Sequence, residues 1–201
     1  MEGAARGRSD ISTRVADGSD LPGVSEMLGA AFREDPLWSW TFSDPERLTV
    51  WWRFLIESAL RYRFVFVTGD YAAASVWIPP GGSELTEREQ ERVEPLLQEL
   101  AGERAPAVME LLERFDDGHP RDRPHYYLSL LGTHPEHRGR GLGMALLAEN
   151  LASIDEQGMP AYLESSNPEN IPRYERLGFE RIGEFSTPDG RHTVAAMWRE
   201  G

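Results

Sequence analysis

The sequence predicts a mixed α/β fold, a single domain of strands and amphipathic helices, and three observations lead there. The chain has 201 residues, enough for one well-buried core and short for two. Short runs rich in Val, Ile, Phe and Tyr alternate with stretches whose apolar residues recur at helical spacing. In the second half, an apolar strand passes through a glycine-rich turn directly into an amphipathic helix.

The elements follow in order. Met1 to Asp10 is rich in Gly, Ala, Arg and Ser, has no apolar periodicity and lacks the apolar core of a signal peptide. It reads as a disordered tail, residues 1–10, before a domain spanning 11–201. Ile11 to Ala16 reads as a first strand. Asp20 can cap a helix through Val24, Met27, Leu28, Ala31 and Phe32, with Pro22 in its first turn. Glu34 to Asp44 is too aromatic for a disposable loop, and Asp44-Pro45-Glu46 starts a helix over about Pro45 to Tyr62. Phe64 to Thr68 and Ala72 to Ile78 form a hairpin across Gly69-Asp70-Tyr71, stopped by Pro79-Pro80-Gly81-Gly82.

Thr86-Glu87-Arg88-Glu89 is a capping-box signature opening a charged helix to about Leu100. Pro106 to Phe115 gives another, with Val108, Leu111, Leu112 and Phe115 on one face. This pair reads as a helical insertion at about 84–116, and Asp116 to Pro124 as a connecting loop. Tyr126 to Leu131 is a strand, and from about Gly141 a helix runs to Gln157, with Leu142, Leu146, Leu147, Leu151 and Ile154 on one broad face. Pro160 to Glu164 gives a strand, Asn167 to Leu177 a helix, and Phe179 to Phe185 with Thr193 to Trp198 an antiparallel pair around Pro188-Asp189-Gly190.

Composition excludes several chemistries. There is no cysteine, which removes disulfides, thiolate metal sites and cysteine nucleophiles, and a cytoplasmic location fits. All 21 basic residues are arginines, so Schiff-base chemistry and a lysine-bearing phosphate loop are absent. The net charge of −13 disfavours nucleic acid and anionic membranes and favours a cationic partner. The five histidines show no metal-ligand spacing, so no metal is expected.

Leu128-Ser-Leu-Leu-Gly-Thr-His-Pro-Glu-His-Arg138-Gly-Arg-Gly-Leu-Gly143-Met is an anion site in outline. A helix N-terminus leaves backbone N–H groups unpaired and carries partial positive charge, while glycines allow close approach. A dinucleotide fingerprint fails on spacing, because its third glycine would fall on Met144 or Leu146. The order Arg138-x-x-Gly141-x-Gly143 resembles the acetyl-coenzyme A signature of the GNAT acetyltransferases. A second block, Asn170, Tyr174-Glu175 and Gly178-Phe179, resembles the C-terminal block of the same superfamily. Pro160 to Phe179 is most similar to the puromycin N-acetyltransferases and their relatives.

The resemblance implies a GNAT fold: a central, mostly antiparallel twisted sheet of about seven strands flanked by helices, with one splayed parallel pair holding acetyl-CoA as co-substrate. It implies diphosphate on the amides of Arg138, Gly139, Arg140, Gly141, Leu142, Gly143 and Met144. It places pantetheine along Leu131, Gly132 and Thr133, at a bulge that Gly132 would relieve. Asn170 would hold pantetheine or cap its helix, and Tyr174 matches the general acid for the leaving thiolate. For the base, Glu164, His125, His137 and ordered water stay open, with Glu164 leading. On the acceptor side, the residues themselves suggest Trp38, Asp35 and Trp40, with Phe42, Trp51, Trp52, Glu34 and Asp44 nearby, since aromatic faces with carboxylates suit a cation bearing a flat or apolar body.

The expected reaction is acetyl transfer to the primary amine of a small molecule, such as an aminonucleoside-like antibiotic. The insertion would roof the site and favour small acceptors. Acetylation of a protein N-terminus or lysine, or acetyl-CoA sensing without turnover, are the alternatives; a homodimer is compatible with the chain.

Overall fold

Among the described residues seven strands align in the order β1-β2-β3-β4-β5-β7-β6, and every neighbouring pair is antiparallel except β4 with β5. The computed structural model describes residues 12–201; the expected tail at 1–10, and Ile11, lie outside the described residues. In chain order the elements are β1 (Thr13–Val15), α1 (Leu21–Phe32), α2 (Pro36–Thr41), α3 (Pro45–Ala59), β2 (Val65–Thr68), β3 (Ala73–Ile78), α4 (Glu87–Gln90), α5 (Val93–Ala101), α6 (Ala105–Gly118), β4 (Tyr126–Thr133), α7 (Leu142–Asp155), β5 (Ala161–Ser165), α8 (Ile171–Glu175), β6 (Glu180–Ser186) and β7 (Thr193–Arg199). Among the described residues no helix is long and apolar enough to cross a membrane.

The sheet divides the core. On one face α1, α2, α3, α5 and α6 bury Leu28, Leu37, Trp52, Ile56, Leu97 and Leu111 against Val65, Val76 and Leu130. On the other, α7 lays Leu147, Leu151 and Ile154 on Trp77, Leu128 and Leu163. β3 is buried on both faces, as a central strand covered by helices must be.

β4 carries the irregularity that shapes the site. Its register against β3 jumps from Val76↔Leu130 to Trp77↔Leu128, leaving Ser129 as an extra residue. Tyr126 and Leu128 pack on the α7 face, whereas Leu130 packs on the opposite face, so the bulge resets the strand's alternation. The bulge expected at Leu131-Gly132-Thr133 therefore sits at Ser129. Gly132 has a different reason: a Cβ there would stand 2.6 Å from Leu28 Cδ2 and 3.0 Å from Ala31 Cβ, so its bareness admits α1 against the strand.

Other expectations also shift. Asp20 does not cap α1 with its side chain. Its carboxylate is spent on Arg14 at 2.6 Å, on the Tyr71 hydroxyl at 2.7 Å and on the Asp17 amide at 2.9 Å, and Asp17 caps the preceding turn. The aromatic stretch after Glu34 forms α2, capped by Asp35 and entered through Pro36. The capping box at Thr86 is present, but the helix it opens closes after one turn and α5 follows. The expected helix at Asn167 begins as a 3-10 turn capped by Asn167 before α8.

Candidate active site

β4 and β5 pair in parallel only over Tyr126↔Ala161, Tyr127↔Tyr162 and Leu128↔Leu163. Past the Ser129 bulge β4 turns away, and no ladder joins Ser129–Thr133 to β5. The result is a wedge with β4 backbone along one side. Just beyond it, Gly139 and Gly141 take left-handed φ values of +78° and +77°, with open space where a Cβ would be. Gly141 caps α7 without any side-chain hydrogen bond, and the first carbonyl-bound amide is Ala145, on Gly141 O at 2.9 Å. The amides of Leu142, Gly143 and Met144 thus face outward from the helix start, a fitting cradle for a diphosphate. Each such contact contributes roughly 0.3–1 kcal/mol, and about 2 kcal/mol when partly buried.

The arginines of this turn are otherwise engaged. Arg138 donates to Ala31 O at 2.7 Å and to Glu34 Oε2 at 3.2 Å, closing the C-terminal end of α1. Arg140 lies 3.3 Å from His137 Nδ1 on the exposed surface. Thr133, near the end of the wedge, is partly buried, and Gly143 is buried. Leu131 and Asn170 line the adjoining cavity, and Asn170 Oδ1 accepts from Arg173 at 2.7 Å.

That cavity has a volume of about 950 Å³, at the upper end for a small-molecule pocket. Its walls include Phe32, Trp38, Trp51 and Trp52 from the N-terminal helices, and Leu85, Val93, Met109 and Leu112 from the 84–118 segment. Trp38 packs edge-on to Trp52 at 4.5 Å between centroids and stacks on Phe115 at 6.2 Å. Of the three acceptor residues expected, Trp38 alone lines this space. Trp40 donates its indole N–H to Asp189 at 2.9 Å, away from the cavity lining. Asp35 accepts from the amides of Leu37 and Trp38 and from the Ser166 hydroxyl at 2.8 Å, so it ties α2 to the end of β5. Burial raises its pKa against those hydrogen bonds. Glu34 pairs with Arg138, and Asp44 caps α3.

Glu164 and Tyr174 both face the cavity. The Glu164 side chain is only 3% exposed, and its Oε1 is buried without a hydrogen-bond partner. Tyr174 is pushed up to about 12, chiefly by burial and then by the charge of Asp35. A phenol so raised keeps its proton at neutral pH and has an O–H to donate.

Several residues around Glu164 escaped the sequence reading. His119, placed in a connecting loop, follows α6 directly, with Nδ1 3.7 Å from Glu164 Oε1. Its ring packs edge-on against Tyr127 and Tyr162, at 4.8 and 4.9 Å. Burial first, and then the nearby Glu164 carboxylate, raises both phenols. Glu84 receives the Ser129 hydroxyl and is raised by burial and, beyond that, by the charge of Glu164. One signal was available: Tyr162 and Glu164 are two apart on a strand and share a face. His119 and Glu84 arrive by long-range packing, which no local pattern encodes. Of the other bases considered, His125 lines the cavity while His137 does not.

Comparison with known proteins agrees with this geometry. Residues 30–179 match the model of the acetyltransferase (GNAT) family. An uncharacterised N-acetyltransferase of Schizosaccharomyces pombe is 25% identical over 183 residues, 84% of this chain and 74% of that protein. A Corynebacterium glutamicum structure described as histone acetyltransferase and related acetyltransferase is 23% identical, with a TM-score of 0.65 over 94% of each chain. The Drosophila melanogaster polyamine N-acetyltransferase is 20% identical, with a TM-score of 0.60 over 96% of this chain and 100% of that one. At these identities the two solved structures speak for the fold.

Proposed function

The chain belongs to the GNAT acetyltransferase family, and from that premise we propose that it acetylates the primary amine of a small, cationic molecule with an apolar or aromatic body. The family uses acetyl-CoA, and the protein is an N-acetyltransferase. The observation that carries the acceptor reading is the unpartnered Oε1 of Glu164, buried in the wall of an aromatic cavity. A buried carboxylate oxygen left without a hydrogen bond is costly unless a cation or proton meets it.

Acetyl-CoA, when bound, supplies an electrophilic thioester carbonyl and a thiolate leaving group. The amides of Leu142 to Met144 would hold its diphosphate, and the open side of β4 beyond Ser129 would offer main-chain groups to pantetheine. Trp38, Trp52 and Phe32 form a wall for the body of the acceptor. Glu164 draws the ammonium towards itself and takes its proton, leaving the nitrogen lone pair free to attack. Tyr174, protonated at neutral pH, offers its O–H to the departing sulfur and is reprotonated by the second proton that the nitrogen gives up as the amide forms. The helices of the 84–118 segment contribute to the cavity wall, which favours a compact acceptor over a folded protein surface. An aminonucleoside-like antibiotic is one acceptor of this description.

The test is thiol release from acetyl-CoA across a panel of monoamines, diamines, aminonucleosides and amino-terminal peptides, with mass spectrometry of the products. Acetylation of small amines supports the reading. Turnover with peptides alone would replace the acceptor class, and binding of acetyl-CoA without turnover on any amine would replace the enzyme by a sensor.

A further inference from the structure

The Glu164 carboxylate is nearly sealed from solvent, with a side chain 3% exposed, whereas the His119 side chain beside it is 26% exposed. A buried base that takes a proton in every turnover needs a route for discharging it. The hydrogen bonds behind His119 define such a route through their donor and acceptor roles.

The chain of roles starts at a main-chain carbonyl. Arg123 O lies 2.8 Å from His125 Nδ1 and can only accept, so His125 carries its proton on Nδ1. His125 is 7% exposed, and burial lowers its pKa, which keeps the ring neutral and leaves Nε2 as an acceptor. His119 Nε2 stands 3.1 Å from that nitrogen, so it must be the donor. In its neutral form the His119 ring therefore holds its proton on Nε2, and Nδ1 then presents a bare lone pair to Glu164 Oε1 at 3.7 Å. Tyr127 and Tyr162 flank the ring, and both stay protonated because burial raises them. Glu84 adds a second acid to the surroundings, and Asp122 acts on His125.

Resting on the acetyl-transfer reading, we propose that His119 is the proton relay of the acceptor site, receiving on Nδ1 the proton that Glu164 takes from the ammonium and releasing it to solvent, while His125 is a positioning residue that fixes the His119 tautomer. The N–H bond of the ammonium breaks and its electron pair stays on nitrogen. The proton passes to Glu164 Oε1 and then to His119 Nδ1, giving a carboxylate beside an imidazolium. Loss of that proton to water restores the neutral ring. No oxidant or further co-reactant enters.

The experiment uses the full chain and the best amine from the panel. His119→Phe keeps an aromatic ring in the same box and removes both nitrogens. The expected result is a kcat loss of about a hundredfold near neutral pH, with unchanged acetyl-CoA affinity by calorimetry. That loss shrinks as pH rises toward the amine's own pKa, because the acceptor then arrives deprotonated. His125→Phe is expected to lower kcat less, with KM for the amine preserved. Independently of turnover, nitrogen-15 spectra of the resting wild type should show His119 protonated on Nε2, and His125→Phe should mix the two tautomers. A loss independent of pH, no loss at all, or a resting His119 carrying its proton on Nδ1 would overturn the relay. A wild type that acetylates no amine fails the acetyl-transfer reading instead, and the tautomer spectra still decide the geometry.

Discussion

Asp35 and Tyr174 are electrostatically coupled across the end of β5. Asp35 caps α2 and takes the Ser166 hydroxyl at 2.8 Å, and its charge adds to the burial that lifts Tyr174 to about 12. The α2 cap therefore helps keep the proton on the phenol that, in the proposed reaction, meets the thiolate. Tyr174→Phe is expected to lower kcat by about 10²- to 10⁴-fold, the usual span for a lost proton-transfer group. Calorimetric affinity for CoA should stay within about threefold of wild type, at the low end of one hydrogen bond's worth of binding. Stopped-flow thiol release measures the first quantity.

Gly141 is the position where the diphosphate cradle is most exposed to test. Its φ of +77° is strained for any residue with a β-carbon, although the space around it is open. Gly141→Val should cost about 1–2 kcal/mol of local conformational energy. As the turn relaxes, CoA affinity should weaken by roughly tenfold, while the KM for the amine holds. Unchanged binding in calorimetry would remove the assignment of this turn.

Trp38, which lines the cavity, is the residue at which acceptor binding and cofactor binding are expected to part. Trp38→Phe keeps apolar volume but shortens the ring that faces the cavity between Trp52 and Phe115. If the ring covers a cation, a contact of about 0.5–2 kcal/mol is reduced, and the KM for the amine should rise by a few fold to about twentyfold. An equal rise for acetyl-CoA in steady-state kinetics would count against this division.

Gly132 offers a test of packing alone. Gly132→Val would drive side-chain atoms into Leu28 and Ala31, and overpacking of this kind costs about 1–3 kcal/mol. Thermal denaturation should show the loss as a lower Tm. A small residue such as Ala should lose less.

Asp20 governs part of the acid stability. The Arg14 guanidinium, with help from the Tyr71 hydroxyl and the Asp17 amide and against the effect of burial, holds its carboxyl well below the usual carboxylate range. A folded-state pKa below the unfolded value of about 3.9 means that its stabilisation is complete above that pH and is lost as pH falls through the folded value. Asp20→Asn should therefore lower Tm at neutral pH, and the gap to wild type should close in strong acid. A gap independent of pH would show that packing rather than charge is responsible.

Most of the framework is local and could be read from the chain. The capping box at Thr86, the amphipathic face of α7 and the glycine turn after β4 are encoded within a few residues each. Asp35 shows how local chemistry can mislead: a carboxylate among aromatic residues suggested an acceptor contact, whereas Asp35 followed by Pro36 is a helix start and the cap takes two of its hydrogen bonds. The Ser129 bulge was beyond reading, because it is set by the register of β4 against β3. His119 and Glu164 are 45 positions apart in sequence and meet only because α6 ends against the face of β4 and β5. Spacing could not reveal that meeting, although the shared face of Tyr162 and Glu164 pointed to its location.

The two halves of the binding cleft come from different parts of the chain. The proposed donor end is assembled from β4, the glycine turn and the start of α7, while the aromatic wall comes from α1, α2 and α3 and from the 84–118 segment. Descendants of such a protein can exchange one amine for another by altering the earlier stretch, without re-inventing the thioester machinery. By the same token, a library built for new selectivity should randomise Phe32, Trp38, Leu85 and Met109 and leave everything after Gly139 untouched.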